Sequence, residues 1–197
     1  MAEQSALLPP PSLLDPRVML MVPRGERAAL TALWKLEARL FGVVAQRREV
    51  VLAQIKLAWW RERLAQVAAE PAALPKGEPL LAELAMTWGG RPTLAPLADA
   101  YEAVMLAEEV DALALAGMAL ADAVHTGQPW GLARAALLAG DEALQSALWA
   151  RVGAAPISSG PRHGRTLDRW AQLLAKQGGA ASPRAEGWLL LRAGVGF

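Results

Sequence analysis

An all-helical protein is predicted by three features of the 197-residue chain. Alanine supplies 42 residues and leucine 33, while valine, isoleucine and threonine together supply 19, so strong helix formers far outnumber the β-branched residues that strands prefer. Apolar residues recur at three- and four-residue spacing through two long segments, Glu26 to Ala45 and Val50 to Val67. Clusters of proline and glycine at Pro71 to Pro79, Gly89 to Pro92 and Gly127 to Pro129 stand between the remaining helical stretches and end them.

Residues 1–23 read as a proline-rich N-terminal arm, because Pro9, Pro10, Pro11, Pro16 and Pro23 forbid a continuous helix. A single helical domain is expected over 24–197, a length that suits one hydrophobic core. Its first long helix runs from Glu26 to about Ala45 on the stripe Leu30, Leu33, Leu40 and Val44, with Trp34 and Phe41 at the stripe's edge. After a polar turn at Gln46 to Glu49, the second carries Val50, Ala53, Leu57, Trp60, Leu64 and Val67 inward. The short connection predicts an antiparallel hairpin of the two.

A shorter helix is expected at Leu80 to Trp88, and a long segment from Thr93 to Val124 with a break near Glu108 to Asp111. Further helices are expected at Trp130 to Leu138, Asp141 to Val152, Thr166 to Lys176 and Ala185 to Leu191, with Ala154 to Arg165 as the most loop-like interior stretch.

The bulk composition excludes several classes of function. Twenty Lys and Arg against 19 Asp and Glu leave a net charge of +1, so no overall positive field favours a nucleic acid, and no nucleic acid partner is expected. The absence of cysteine removes disulfides, thiol catalysis and thiolate metal sites, and the two histidines, His125 and His163, lie too far apart for a helical metal-ligand pair. The N-terminus lacks the cationic start of a secretory signal, and no window approaches the roughly 20 apolar residues that span a bilayer. Cytoplasmic residence is the expectation, with peripheral contact at the inner membrane as its extension.

A few side chains carry possible chemistry. Glu37 falls inside the apolar stripe between Leu33 and Leu40, where an unpaired carboxylate is expensive to bury. It requires either a salt bridge, to Lys56 or an arginine of the second helix, or a role as a site carboxylate facing an interhelical cavity. Lys56, Trp59 and Arg63 share one edge of the second helix at i, i+3 and i+7, whereas Trp60 sits on the buried seam. Trp59 with Arg63 makes either a surface cation and ring stack or one wall of a ligand pocket.

Asp99, Glu102 and Glu109 share a narrow arc that is either a solvated acidic face or a site for a hard cation. Arg162, His163, Arg165 and Arg169 form a basic patch near a helix start, which is either solvated or receptive to phosphate.

The tracts Ala32-Leu33-Trp34-Lys35-Leu36-Glu37 and Gln54-Ile55-Lys56-Leu57-Ala58-Trp59-Trp60-Arg61-Glu62-Arg63-Leu64 resemble the N-terminal helical pair of the squalene/phytoene synthase family. Ile-Lys-Leu-Ala-Trp-Trp-Arg looks most like the bacterial and mitochondrial branch, which includes assembly-factor-like members for respiratory complex I. The resemblance implies an all-α prenyl-synthase-like bundle around a central cavity, and members that join prenyl diphosphates with magnesium held by two aspartate-rich motifs.

Where the first motif should fall, this chain has Phe41-Gly42-Val43-Val44-Ala45, and the second has no equivalent around Asp122, which stands alone. The chain is also short for the family, so a truncated bundle is expected. Without either carboxylate cluster the family route to diphosphate ionisation is missing. The expectation is a noncatalytic pseudoenzyme without a cofactor or metal, binding a protein partner or an apolar isoprenoid-like ligand, with Glu37, Lys56, Trp59 and Arg63 as candidate ligand-binding residues and no catalytic residue. The alternative is a divergent prenyltransferase joining isoprenoid diphosphates, for which magnesium would be required.

Overall fold

The computed structural model describes residues 11, 12, 14–47, 49–69, 77–180 and 182–195. Ten α-helices follow one another, with no strand among the described residues. They are α1 (Pro16–Met19), α2 (Arg27–Ala45), α3 (Val50–Ala69), α4 (Pro79–Thr87), α5 (Ala95–Leu106), α6 (Val110–Ala123), α7 (Gln128–Leu138), α8 (Glu142–Ala154), α9 (Arg162–Lys176) and α10 (Pro183–Val195). A 3-10 turn at Arg24–Glu26 leads into α2.

Helix starts follow local chemistry. Proline occupies the first or second position of α1, α4, α5 and α7, where its missing N–H costs nothing. Asp141 caps α8 by accepting the N–H groups of Ala143 and Leu144. The long segment expected from Thr93 to Val124 is broken where predicted, at Ala107 to Glu109 between α5 and α6. The interior loop is shorter than expected, because α9 begins at Arg162 rather than Thr166. Its end is set by Gly178 and Gly179, both at positive φ.

Two helices, α2 and α7, carry broad buried faces. In α2 the residues Leu33, Trp34, Leu36, Leu40, Phe41 and Val44 are all in the core, so Trp34 is central rather than at a stripe's edge. In α7 the run from Pro129 to Ala136 is wholly buried. Side chains join the two: Trp34 meets Trp130 edge to face with centroids 5.0 Å apart.

Residues 11–23 overlap the predicted arm. They include α1, send Val18 and Val22 into the core, and place the Pro11 carbonyl 3.1 Å from the Trp130 indole N–H that donates to it. The remainder of the predicted arm, residues 1–10 and 13, lies outside the described residues.

The expected hairpin of α2 and α3 is only a slender contact. The two are consecutive, but α3 packs chiefly on α5, and α2 chiefly on α4 and α5. Helices α6 and α7 cross closely, and a Cβ placed on Gly131 would lie 2.0 Å from the Gly117 carbonyl oxygen. Only glycine fits there, since any side chain would have to displace backbone.

Candidate functional site

Glu37 is fully enclosed at the meeting of α2, α5 and α7. The Tyr101 hydroxyl of α5 donates to its Oε1 at 2.6 Å. The Arg134 guanidinium of α7, itself fully buried, places Nε 2.9 Å from Oε1 and Nη2 3.5 Å from Oε2. Arg134 in turn lies over the rings of Phe41 and Trp130, each 5.2 Å from the guanidinium carbon.

Burial raises the Glu37 pKa, and Arg134 and Tyr101 pull against that rise. Burial, and then the Glu37 charge, push Tyr101 well above the usual tyrosine range, so its proton stays in place to be donated. Arg134, and not Lys56 or an arginine of the second helix as the sequence suggested, is thus the partner of Glu37. The carboxylate faces two side chains, Tyr101 and Arg134, and is closed to solvent, with Phe41 and Trp130 packed against the guanidinium and Trp34 against Trp130.

Lys56, Trp59 and Arg63 lie together on the outer face of α3. Lys56 is exposed, Trp59 is 37% exposed, and the Arg63 guanidinium stands 6.0 Å above the Trp59 ring. Trp59 packs edge to face on Trp60, with centroids 5.1 Å apart, and Trp60 is 5% exposed and belongs to the core. Arg63 also donates to Gln66 at 2.7 Å. The structure therefore assembles three of the four candidate residues and puts Glu37 in a separate, closed cluster. Beside the three, Val51, Leu52 and Ile55 are exposed, so α3 presents an uncovered apolar row edged by two cations.

The acidic arc is already occupied. Asp99 and Glu102 of α5 both bind the guanidinium of Arg61 from α3, while Glu109 lies exposed ahead of α6. Among the described residues no group of three or more His, Cys, Asp and Glu could hold a metal ion. Asp122 is exposed near the end of α6. An open hollow of about 480 Å³ between α8 and α9, lined by Glu142, Gln145, Trp149 and Lys176 among others, includes none of the candidate residues.

Sequence reasoning missed Tyr101, Arg134 and Asp168. Arg134 stands as a lone cation in the apolar run Gly131-Leu132-Ala133-Arg134-Ala135-Ala136, the complement of Glu37 in its stripe, and that symmetry was the available signal. Asp168 is buried, accepts the Ser158 N–H at 2.9 Å and lies so close to Gly127 that a Cβ there would sit 2.0 Å from its Oδ2.

No protein-family model, curated protein or solved structure matches this chain. Among the described residues no helix is long and apolar enough to cross a membrane.

Proposed function

We propose that this chain is a squalene/phytoene synthase-like pseudoenzyme, a prenyl-synthase-like bundle that acts by binding a protein partner or an apolar isoprenoid-like ligand. The observation that carries the reading is the state of Glu37. It is the carboxylate nearest the place where the family's first metal motif is expected, and it is sealed against Arg134 and Tyr101 with no open face toward a substrate. Asp99 and Glu102 are likewise bound to Arg61. A carboxylate held by an arginine is a poor magnesium ligand, since the metal would have to displace the cation.

The docking surface in this reading is the outer face of α3, where Val51, Leu52, Ile55 and Trp59 are uncovered beside Lys56 and Arg63. A flat aromatic next to exposed aliphatics suits a prenyl chain or an apolar helix, and the two cations suit an acidic end group.

Two measurements on the full chain test the reading. Labelled farnesyl and geranylgeranyl diphosphates with magnesium should release no more pyrophosphate than a control without protein. Titration with a fluorescent farnesyl analogue should show binding that Trp59→Ala weakens about tenfold, the effect of losing an aromatic anchor. Magnesium-dependent release abolished by Glu37→Gln would instead establish the divergent prenyltransferase.

A further inference from the structure

The near-neutral net charge hides a strong partition along the chain. Residues 159–197 carry six Lys and Arg against two Asp and Glu, net +4, whereas residues 1–158 carry 14 against 17, net −3. Both acids of the C-terminal part already have partners, Asp168 in the core and Glu186 half-buried. Asp168 is buried, and Glu186 accepts the Trp170 indole N–H at 2.9 Å. The outward side of the last two helices therefore carries cations without neighbouring carboxylates of its own.

The cations are arranged by helical spacing. Arg162, Arg165 and Arg169 recur at i, i+3 and i+7 along α9, opposite the buried Leu167, Trp170, Ala171 and Leu174. On α10, Arg184, Trp188, Leu191 and Arg192 at i, i+4, i+7 and i+8 share one arc of the helix and are all exposed, opposite the buried Leu190 and Ala193.

The two helices are fastened together. Arg162 donates to the Ala193 carbonyl, which fastens the start of α9 to the last turn of α10, and Trp170 with Glu186 ties the middle of α9 to the first turn of α10. Arg165 spends one N–H on the Gly160 carbonyl and keeps its charge. Lys176 shares the hollow between α8 and α9 with Glu142 and stands apart from this surface.

Trp188 and Leu191 are each 60% exposed in the middle of the cationic arc. A water-facing surface gains nothing from them, and a nucleic acid backbone would be met by the cations alone. An indole and an aliphatic flanked by arginines is what the headgroup and upper acyl region of a bilayer accommodates. We propose that the outward face of α9 and α10 docks on an anionic lipid bilayer, with Trp188 and Leu191 entering the interface and Arg162, Arg165, Arg169, Arg184 and Arg192 meeting the headgroups. This surface is on different helices from the α3 face and stands independently of the function proposed above.

Flotation of the full chain with phosphatidylcholine vesicles, with and without phosphatidylglycerol, tests the proposal. Binding should require phosphatidylglycerol and weaken with added salt. Arg184→Gln with Arg192→Gln should lower it by about fivefold for each cation removed. Trp188→Ala should weaken it as well, and Lys56→Gln with Arg63→Gln should leave it unchanged. Thermal unfolding of the Arg184, Arg192 and Trp188 variants should match the parent, because those side chains are exposed. Equal binding to both vesicle types, no binding to either, or full binding by the double arginine variant would overturn the proposal. Tighter binding to polyuridylate than to anionic vesicles, with the same dependence on Arg184 and Arg192, would overturn it in favour of a polyanion site.

Discussion

At the centre of the bundle an arginine lies between two aromatic rings and faces a carboxylate, all of it closed to water. On the outer face of α3 another arginine lies over a single tryptophan with a quarter of its side chain still in solvent. The residue types are almost the same and the consequences opposite. Inside, each charge depends on the other, because neither can be hydrated; outside, Arg63 can leave Trp59 and return to water at little cost. Burial thus turns Glu37 and Arg134 into a fixed joint of three helices and leaves Lys56, Trp59 and Arg63 available to something else.

The strongest way to break this contrast is to remove one member of the buried joint. Arg134→Met should strand Glu37 in the core and cost about 3–5 kcal/mol in urea denaturation. Replacing Glu37 by Leu, Tyr101 by Phe and Arg134 by Met together should recover most of that loss, because no unpaired polar group then remains. If the single variant is as stable as the parent, the cluster is not the joint described here.

The second contrast lies within one dipeptide. Trp60→Ala should leave a core cavity and cost about 3–5 kcal/mol, whereas Trp59→Ala should cost about 1 kcal/mol or less. Thermal unfolding of the two variants beside the parent decides it, and equal losses would mean that the outer face of α3 is structural.

The smallest effect concerns pH. Burial pushes the His163 pKa below its ordinary value of 6.5, so the unfolded chain takes up a proton before the folded protein does. The contribution of His163 is therefore present in full above pH 6.5 and is lost as the pH falls from there through the folded value. Between about pH 7.5 and about pH 5.5 the melting temperature of the parent should fall more steeply than that of His163→Asn. Parallel slopes would show that another group governs this range.

The helices were legible because their signals are local. Proline at the start of α4 and α7, glycine after α9, and apolar spacing along α2 and α3 each act within a few residues. Trp60 and the stack of Trp59 with Arg63 were legible for the same reason, since one helix contains all three. What was not legible was which helix meets which. The pairing of Glu37 with Arg134 crosses 97 positions, and the crossing at Gly117 and Gly131 depends on two backbones arriving together. A loop of Gln46 to Glu49 made α2 and α3 look like partners, although larger faces of both are covered by α5. Net charge averaged away the C-terminal surplus, so the sequence showed the patch of Arg162, His163, Arg165 and Arg169 but not its continuation to Arg184 and Arg192 on α10.

The distance along the chain between Glu37 and Arg134 also means that a long stretch of chain must be closed before that pair can form. Helices α5 to α8 each touch their immediate successor, so that part can assemble by short loop closures. Helix α2 touches its own successor only slenderly, and its central carboxylate meets its cation only when α7 is in place. The central charge of α2 is thus matched by a residue 97 positions further along, one that is made well after α2 itself during synthesis.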